Sequence, residues 1–289
     1  MKSTIVYKQN DSYTLKADIY ATSRQNAPVV IYIHGGGLLW GTREEISEEM
    51  IQLYTQNGFT LISIEYRLAP ETKLPGILED IQDAIQWVIS EGSKYSSINS
   101  ERIAVVGSSA GGFLALCTGT FKNKPKAIVS FYGYGDISAK WATTPSIFYS
   151  QKETVPKEIA KKLITKQVIT EGSVEDRFLL YLYARQTGDW IREITGLDPQ
   201  MNHEKIVDFS PIHNITDEYP PTLLLHGTND VDVPYEQSAY MRAALLKKGI
   251  ETKLITIANG EHVFDKDFHN PVVQNAFMQV IEFLQGHLD

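Results

Sequence analysis

Arg102-Ile103-Ala104-Val105-Val106 runs directly into Gly107-Ser108-Ser109-Ala110-Gly111-Gly112. The short apolar run before the glycine reads as a strand buried on both faces, and Ala110–Thr120 after it reads as a helix. A serine at such a junction sits on a sharp strand-to-helix turn, where side chains two residues either way would collide. Glycines at 107 and 111 remove those collisions, so the G-x-S-x-G spacing belongs to Ser109, and Ser108 is out of phase. The spacing alone is common enough to arise by chance. Its place between strand and helix, and partners elsewhere in the chain, must decide whether Ser109 is a nucleophile.

Outward from this turn, further short β-branched runs recur at Val29–Ile33, Thr60–Ile64, Ala127–Phe131, Leu223–Leu225 and Leu254–Ile257. Helical patterns lie between them at Glu45–Gln56, Gly76–Ile89, Tyr235–Lys248 and Val272–Leu288. In the second, Ile77, Ile81, Ala84, Ile85 and Val88 share one helical face. Strands alternating with helices imply right-handed crossovers and a mostly parallel central sheet with helices on both faces, an α/β fold. Ile5–Tyr7 and Tyr13–Tyr20 alternate with period two and predict an N-terminal antiparallel hairpin. From Tyr134 to Tyr219 no sheet strand is evident, and the interval is far longer than an ordinary βα loop. Helical patterns at Lys157–Ile169, Val174–Arg185 and Asp189–Ile194 predict a helical cap inserted into one domain spanning residues 1–289.

A serine nucleophile needs oxyanion donors, a base and an orienting acid. The first parallel strand ends in His34-Gly35-Gly36-Gly37. Glycines let backbone N–H groups approach a developing oxyanion, which makes Gly35, Gly36 and the N–H of Ala110, at a helix N-terminus, the candidate donors. A phosphate-binding turn would need Lys-Ser/Thr or G-x-G-x-x-G, and neither is present. His34 reads as a brace for the loop. The strand at Leu223–Leu225 leads into His226-Gly227-Thr228-Asn229-Asp230-Val231-Asp232-Val233-Pro234, at the same rim as the serine. Asp230 is the favoured acid because it comes first in the loop, and Asp232 remains open. After the last strand comes Ala258-Asn259-Gly260-Glu261-His262, and His262 is the candidate base. His226, at a strand edge before a glycine, is the main rival and reads as a loop-holding residue.

Composition excludes other classes. The net charge of −8, with Lys122–Lys126 the only basic stretch, disfavours nucleic acid. The seven histidines are scattered without metal-site spacing, and no metal or organic cofactor is implied. No apolar stretch is long enough to cross a bilayer. The first ten residues lack a signal-peptide pattern, and Cys117 is the only cysteine, so a cytoplasmic protein is expected. Nothing in the sequence speaks to oligomeric state.

One more motif follows the second parallel strand: Tyr66-Arg67-Leu68-Ala69-Pro70-Glu71. With YRLAPE, the glycine loop, the serine turn, the acid loop and the late histidine in order, the chain resembles the esterase/lipase branch of the α/β-hydrolases. That branch includes hormone-sensitive-lipase-like carboxylesterases. The resemblance implies Ser109, Asp230 and His262 as a triad, and Gly35, Gly36 and Ala110 around an oxyanion. It departs at Ser108, where those enzymes usually carry aspartate, and at the N-terminus, where they carry a helical cap. The His-Gly-Thr-x-Asp-x-x-Val-Pro loop is similar to feruloyl-esterase-like and prolyl-peptidase-like domains. The implied activity is hydrolysis of short acyl or aryl esters, with amide hydrolysis (an arylformamidase or small exopeptidase) and a non-catalytic binding protein as alternatives. Trp40, Tyr181, Tyr183 and Trp190 are candidate walls for a small-molecule ester.

Overall fold

The computed structural model describes residues 2–95 and 97–289. Eight strands form one sheet in the order β1-β2-β4-β3-β5-β6-β7-β8: β1 Lys2–Gln9, β2 Thr14–Tyr20, β3 Val29–Ile33, β4 Thr60–Ile64, β5 Ile103–Ser108, β6 Ala127–Phe131, β7 Thr222–Gly227 and β8 Thr252–Ile257. The first two strands form the expected antiparallel hairpin, and β2 joins β4 antiparallel. From β4 to β8 every pairing is parallel.

Five central strands are buried along their whole length, and their alternation feeds two cores. On β3, Val29, Ile31 and Ile33 join a core under helices α2 (Leu74–Glu91) and α3 (Ala110–Thr118). Val30 and Tyr32 join the opposite core under α1 (Glu48–Gln56) and the C-terminal helix Pro271–Leu288. That last helix presents Val273, Ala276, Phe277, Val280, Ile281 and Leu284 at one-face spacing, and all are buried. Full burial of each large side chain stabilises by about 1.5–3 kcal/mol. Its start is set by Asn270, whose side chain accepts from the Val272 N–H, followed by Pro271. Strand β8 departs from the expected pattern. It lies at the sheet edge, where Ile255 and Ile257 are buried while Lys253 and Thr256, on opposite faces, are exposed.

Between β6 and β7 the structure has only helices and irregular chain: α4 Lys140–Thr143, α5 Lys157–Lys162, α6 Val174–Thr187, α7 Trp190–Thr195 and α8 His203–Val207. Helix α6 starts at Ser173, which accepts from the Asp176 N–H, and ends at Gly188 with φ +76°. The helix expected over Lys157–Ile169 stops at Lys162. The backbone beyond it bonds elsewhere: the Thr165 N–H donates to the Glu71 carboxylate at 2.9 Å, and Ile169 accepts from the Leu68 N–H at 2.9 Å. Arg177 fastens α6 to the body of the molecule. Its guanidinium donates to the carbonyls of Leu39 and Ala69 and pairs with the buried Glu71 carboxylate at 2.8 Å.

Candidate active site

The turn after β5 holds Ser109 at φ 54°, ψ −117°, a region costly for any residue with a Cβ. Close packing enforces it. A Cβ on Gly107 would lie 2.1 Å from the Gly111 carbonyl oxygen, and one on Gly111 would lie 2.0 Å from that of Ile33. The Ser109 N–H donates to Phe131 O at 2.9 Å, which ties the turn to the end of β6.

Three segments distant in sequence meet at the Ser109 hydroxyl. His262 Nε2 lies 3.0 Å from Ser109 Oγ, and His262 Nδ1 lies 2.7 Å from Asp230 Oδ2. The other Asp230 oxygen accepts from the N–H groups of Asp232 and Val233, both at 2.9 Å. Burial alone would push the Asp230 carboxyl up. Hydrogen bonds from His226 and His262, the nearby imidazole charge and the Val233 N–H outweigh it and hold the group well below the ordinary range. Burial likewise lowers the His262 imidazole, but the bond to Asp230 and the charges of Asp232, Asp230 and Asp265 win, and its pKa lies above 6.5. His226 is buried and turned away from Ser109. Its Nδ1 pairs with the Ser238 hydroxyl at 2.7 Å, and its Nε2 meets the Val233 carbonyl at 3.0 Å.

The glycine loop abuts the serine: a Cβ on Gly35 would fall 3.3 Å from that of Ser109. At Gly36 φ is +102°, and a side chain there would strike the Trp40 carbonyl, whose own N–H donates back to Gly36 O at 3.1 Å. Among the described residues, no protein acceptor takes the backbone N–H of Gly35, Gly36 or Ala110. His34 stacks on Tyr66 with ring centroids 4.3 Å apart, and burial pushes its pKa down to about 4. A neutral His34 donates from Nδ1 to Gly35 O at 2.8 Å and braces the loop.

Ser109 and His262 open into a cleft of about 530 Å³ that Gly35, Gly36, Trp40 and Tyr181 also line. Tyr183 and Trp190 are not among its lining residues. Trp190 is buried behind the loop, where its Nε1–H donates to Gly37 O at 3.1 Å, and Tyr183 is buried on α6. The polar lining residues that were not singled out from the sequence include Tyr32, Tyr132 and Asp265. Tyr32 shares a 3.1 Å hydrogen bond with Ser108 Oγ, and Tyr132 donates to Asp265 at 2.5 Å with its ring edge-on to His262. Burial pushes the Asp265 carboxyl up. Tyr132 directly follows parallel strand β6 at the serine's rim, a positional signal the sequence carried. Tyr32 lies inside an apolar run and gives none. No group of three or more His, Cys, Asp or Glu among the described residues is arranged to hold a metal ion, and no helix among them is long and apolar enough to cross a membrane.

A parallel sheet with an antiparallel hairpin at its start, and a serine on the tight turn after its central strand, defines the chain as an α/β-hydrolase. Residues 17–245 match the BD-FAE family, and the chain belongs to that group of esterase-like α/β-hydrolases. Among solved structures it is similar to an alpha/beta hydrolase superfamily protein from Enterococcus faecalis, with 25% identity, 99% of each chain covered and a TM-score of 0.78. It also shares the fold of Thermogutta terrifontis esterase 2, seen phosphoramylated by tabun, at 20% identity and a TM-score of 0.71, covering 99% of this chain and 94% of that one. A non-reducing polyketide synthase of Penicillium brasilianum is 27% identical over 99% of this chain. The chain spans only 14% of that synthase's length.

Proposed function

We propose that the protein is a serine carboxylesterase that hydrolyses short-chain acyl or aryl esters through an acyl-enzyme. The observation that carries this reading is the unbroken chain Asp230–His262–Ser109, at 2.7 and 3.0 Å, on a turn whose backbone exposes the hydroxyl. His262 Nε2 takes the Ser109 proton as Oγ attacks the acyl carbon, and the same nitrogen returns it to the leaving alcohol. Asp230 holds Nδ1–H and favours the imidazolium. The free N–H groups of Gly35, Gly36 and Ala110 receive the oxyanion, a role worth about 2.7–4 kcal/mol for a single donor. Water then attacks the acyl-enzyme, with His262 as base, and releases the acid.

Residues 134–219 serve as a cap over this site, with Trp40 and Tyr181 as walls for the substrate. Trp190 and Tyr183 act from behind the wall. The single cysteine, Cys117, is buried and free, which supports a cytoplasmic setting. The test is turnover of p-nitrophenyl acetate together with labelling by a fluorophosphonate. Ser109→Ala is expected to lose labelling and at least 10³-fold in kcat, an order set by loss of a nucleophile that acts as a unit with its base. Turnover by Ser109→Ala at the wild-type rate would refute the reading.

A further inference from the structure

The acid loop carries a second carboxylate facing the same imidazole. Asp232 Oδ2 lies 3.8 Å from His262 Nε2, the nitrogen that also meets Ser109 Oγ. Helix α6 sets that position. The Tyr181 hydroxyl donates to Asp232 Oδ1 at 2.6 Å, and Arg185 donates from Nη2 to the Asp232 carbonyl at 3.1 Å. Arg185 is itself buried against the rings of Trp141, Tyr149, Tyr181 and Trp190, at 5.2–5.7 Å. The carboxylate is therefore held facing the cleft.

A separation of 3.8 Å is beyond hydrogen-bond length but well within Coulomb reach. Closer in, the carboxylate would compete with Ser109 for the Nε2 proton. At its observed distance it leaves that nitrogen free and acts by charge alone. We propose that Asp232 is a positioning residue for His262: held by Tyr181 and Arg185 just beyond hydrogen-bond reach of Nε2, it favours the imidazolium and couples the seating of α6 to the basicity of His262. The proposal rests on His262 being the base of the reaction. Other groups face the same ring. Asp230 bonds Nδ1, Asp265 lies beyond the Tyr132 edge, and Lys266 is exposed at the cleft. Arg185, 3.9 Å from the Asp232 carboxylate, partly offsets its field.

Asp232→Asn retains an oxygen for the Tyr181 hydroxyl and removes the charge. It is expected to move the acid limb of kcat/KM for p-nitrophenyl acetate downward by about 1 pH unit, the low end of what a charge at 4–6 Å produces. The imidazole titration of His262 in the free protein, read by NMR, is expected to move alike. Asp232→Ser should shift both equally, and Tyr181→Phe, which keeps the charge, by less than half as much. An unmoved limb and titration in folded Asp232→Asn or Asp232→Ser overturn the proposal. So does an equal shift in Tyr181→Phe, or failure of both Asp232 variants to fold, since Asp232 would then be only a tether. A protein that cleaves no ester yet shows the NMR shift refutes the esterase reading and leaves this charge effect standing.

Discussion

Replacing Asp230 by asparagine tests the proposed mechanism where the geometry is most constrained. Asparagine has the same shape, and its carbonyl can still accept from the Asp232 and Val233 N–H groups, which meet Oδ1 at 2.9 Å. With that oxygen committed, the new NH₂ occupies the position of Oδ2, 2.7 Å from His262 Nδ1. A donor there forces Nδ1 to accept, so the imidazole proton moves to Nε2 and points at Ser109 Oγ, 3.0 Å away. The base then has no lone pair for the serine proton. A wrong tautomer of this kind costs about 10⁴-fold in kcat, or about 5.5 kcal/mol in the barrier. The NH₂ also faces His226 Nε2, 3.3 Å from the present Oδ2, whose proton Oδ2 and Val233 O now share. Two opposed donors in a buried site should lower stability by about 1–3 kcal/mol. The assay is kcat for p-nitrophenyl acetate with active-site titration of the folded fraction, beside thermal unfolding. A loss below about tenfold in correctly folded protein would falsify the assignment of Asp230 as orienting acid.

Two further outcomes follow from the same contacts. Arg177→Met strands the buried Glu71 carboxylate and frees α6 from Leu39 and Ala69, which should cost about 3–5 kcal/mol. Thermal unfolding should show a drop on the order of 5–10 °C, and the Arg177→Met/Glu71→Met pair should recover part of it; an unchanged midpoint in the single variant contradicts the anchoring role. The second outcome concerns pH. The raised His262 pKa places the acid limb of kcat/KM above pH 6.5, because only the neutral imidazole accepts the serine proton. The depressed Asp230 pKa contributes stability that is complete above the unfolded value near 3.8 and is lost as pH falls through its lower folded value. A pH–rate profile and acid unfolding of wild type against Asp230→Asn check both signs: a limb below 6.5, or equal acid sensitivity of the two proteins, contradicts them.

Much of this architecture was legible locally. Strand and helix positions follow from apolar periodicity, and β3, β4 and β6 fall at the expected residues because each is buried on both faces. Where tertiary contacts override local pattern the reading slips. Residues after Lys162 keep a helical pattern yet bond to Glu71 and Leu68, and β8 is an edge strand that its apolar run does not reveal.

The sequence by itself determined that Ser109 stands on a turn, because glycine spacing is a steric rule between near neighbours. It also placed a glycine loop, an acid loop and a late histidine at one rim of a parallel sheet. Residue type could not separate Asp230 from Asp232. Only the folded chain does so, setting one carboxylate 2.7 Å from Nδ1 and the other 3.8 Å from Nε2. It likewise sends Tyr181 to the cleft and Trp190 behind it, although both are aromatic residues on the successive helices α6 and α7. The physical reason is range: steric exclusion acts between residues a few positions apart, whereas the field at an imidazole is set by charges that meet only in three dimensions.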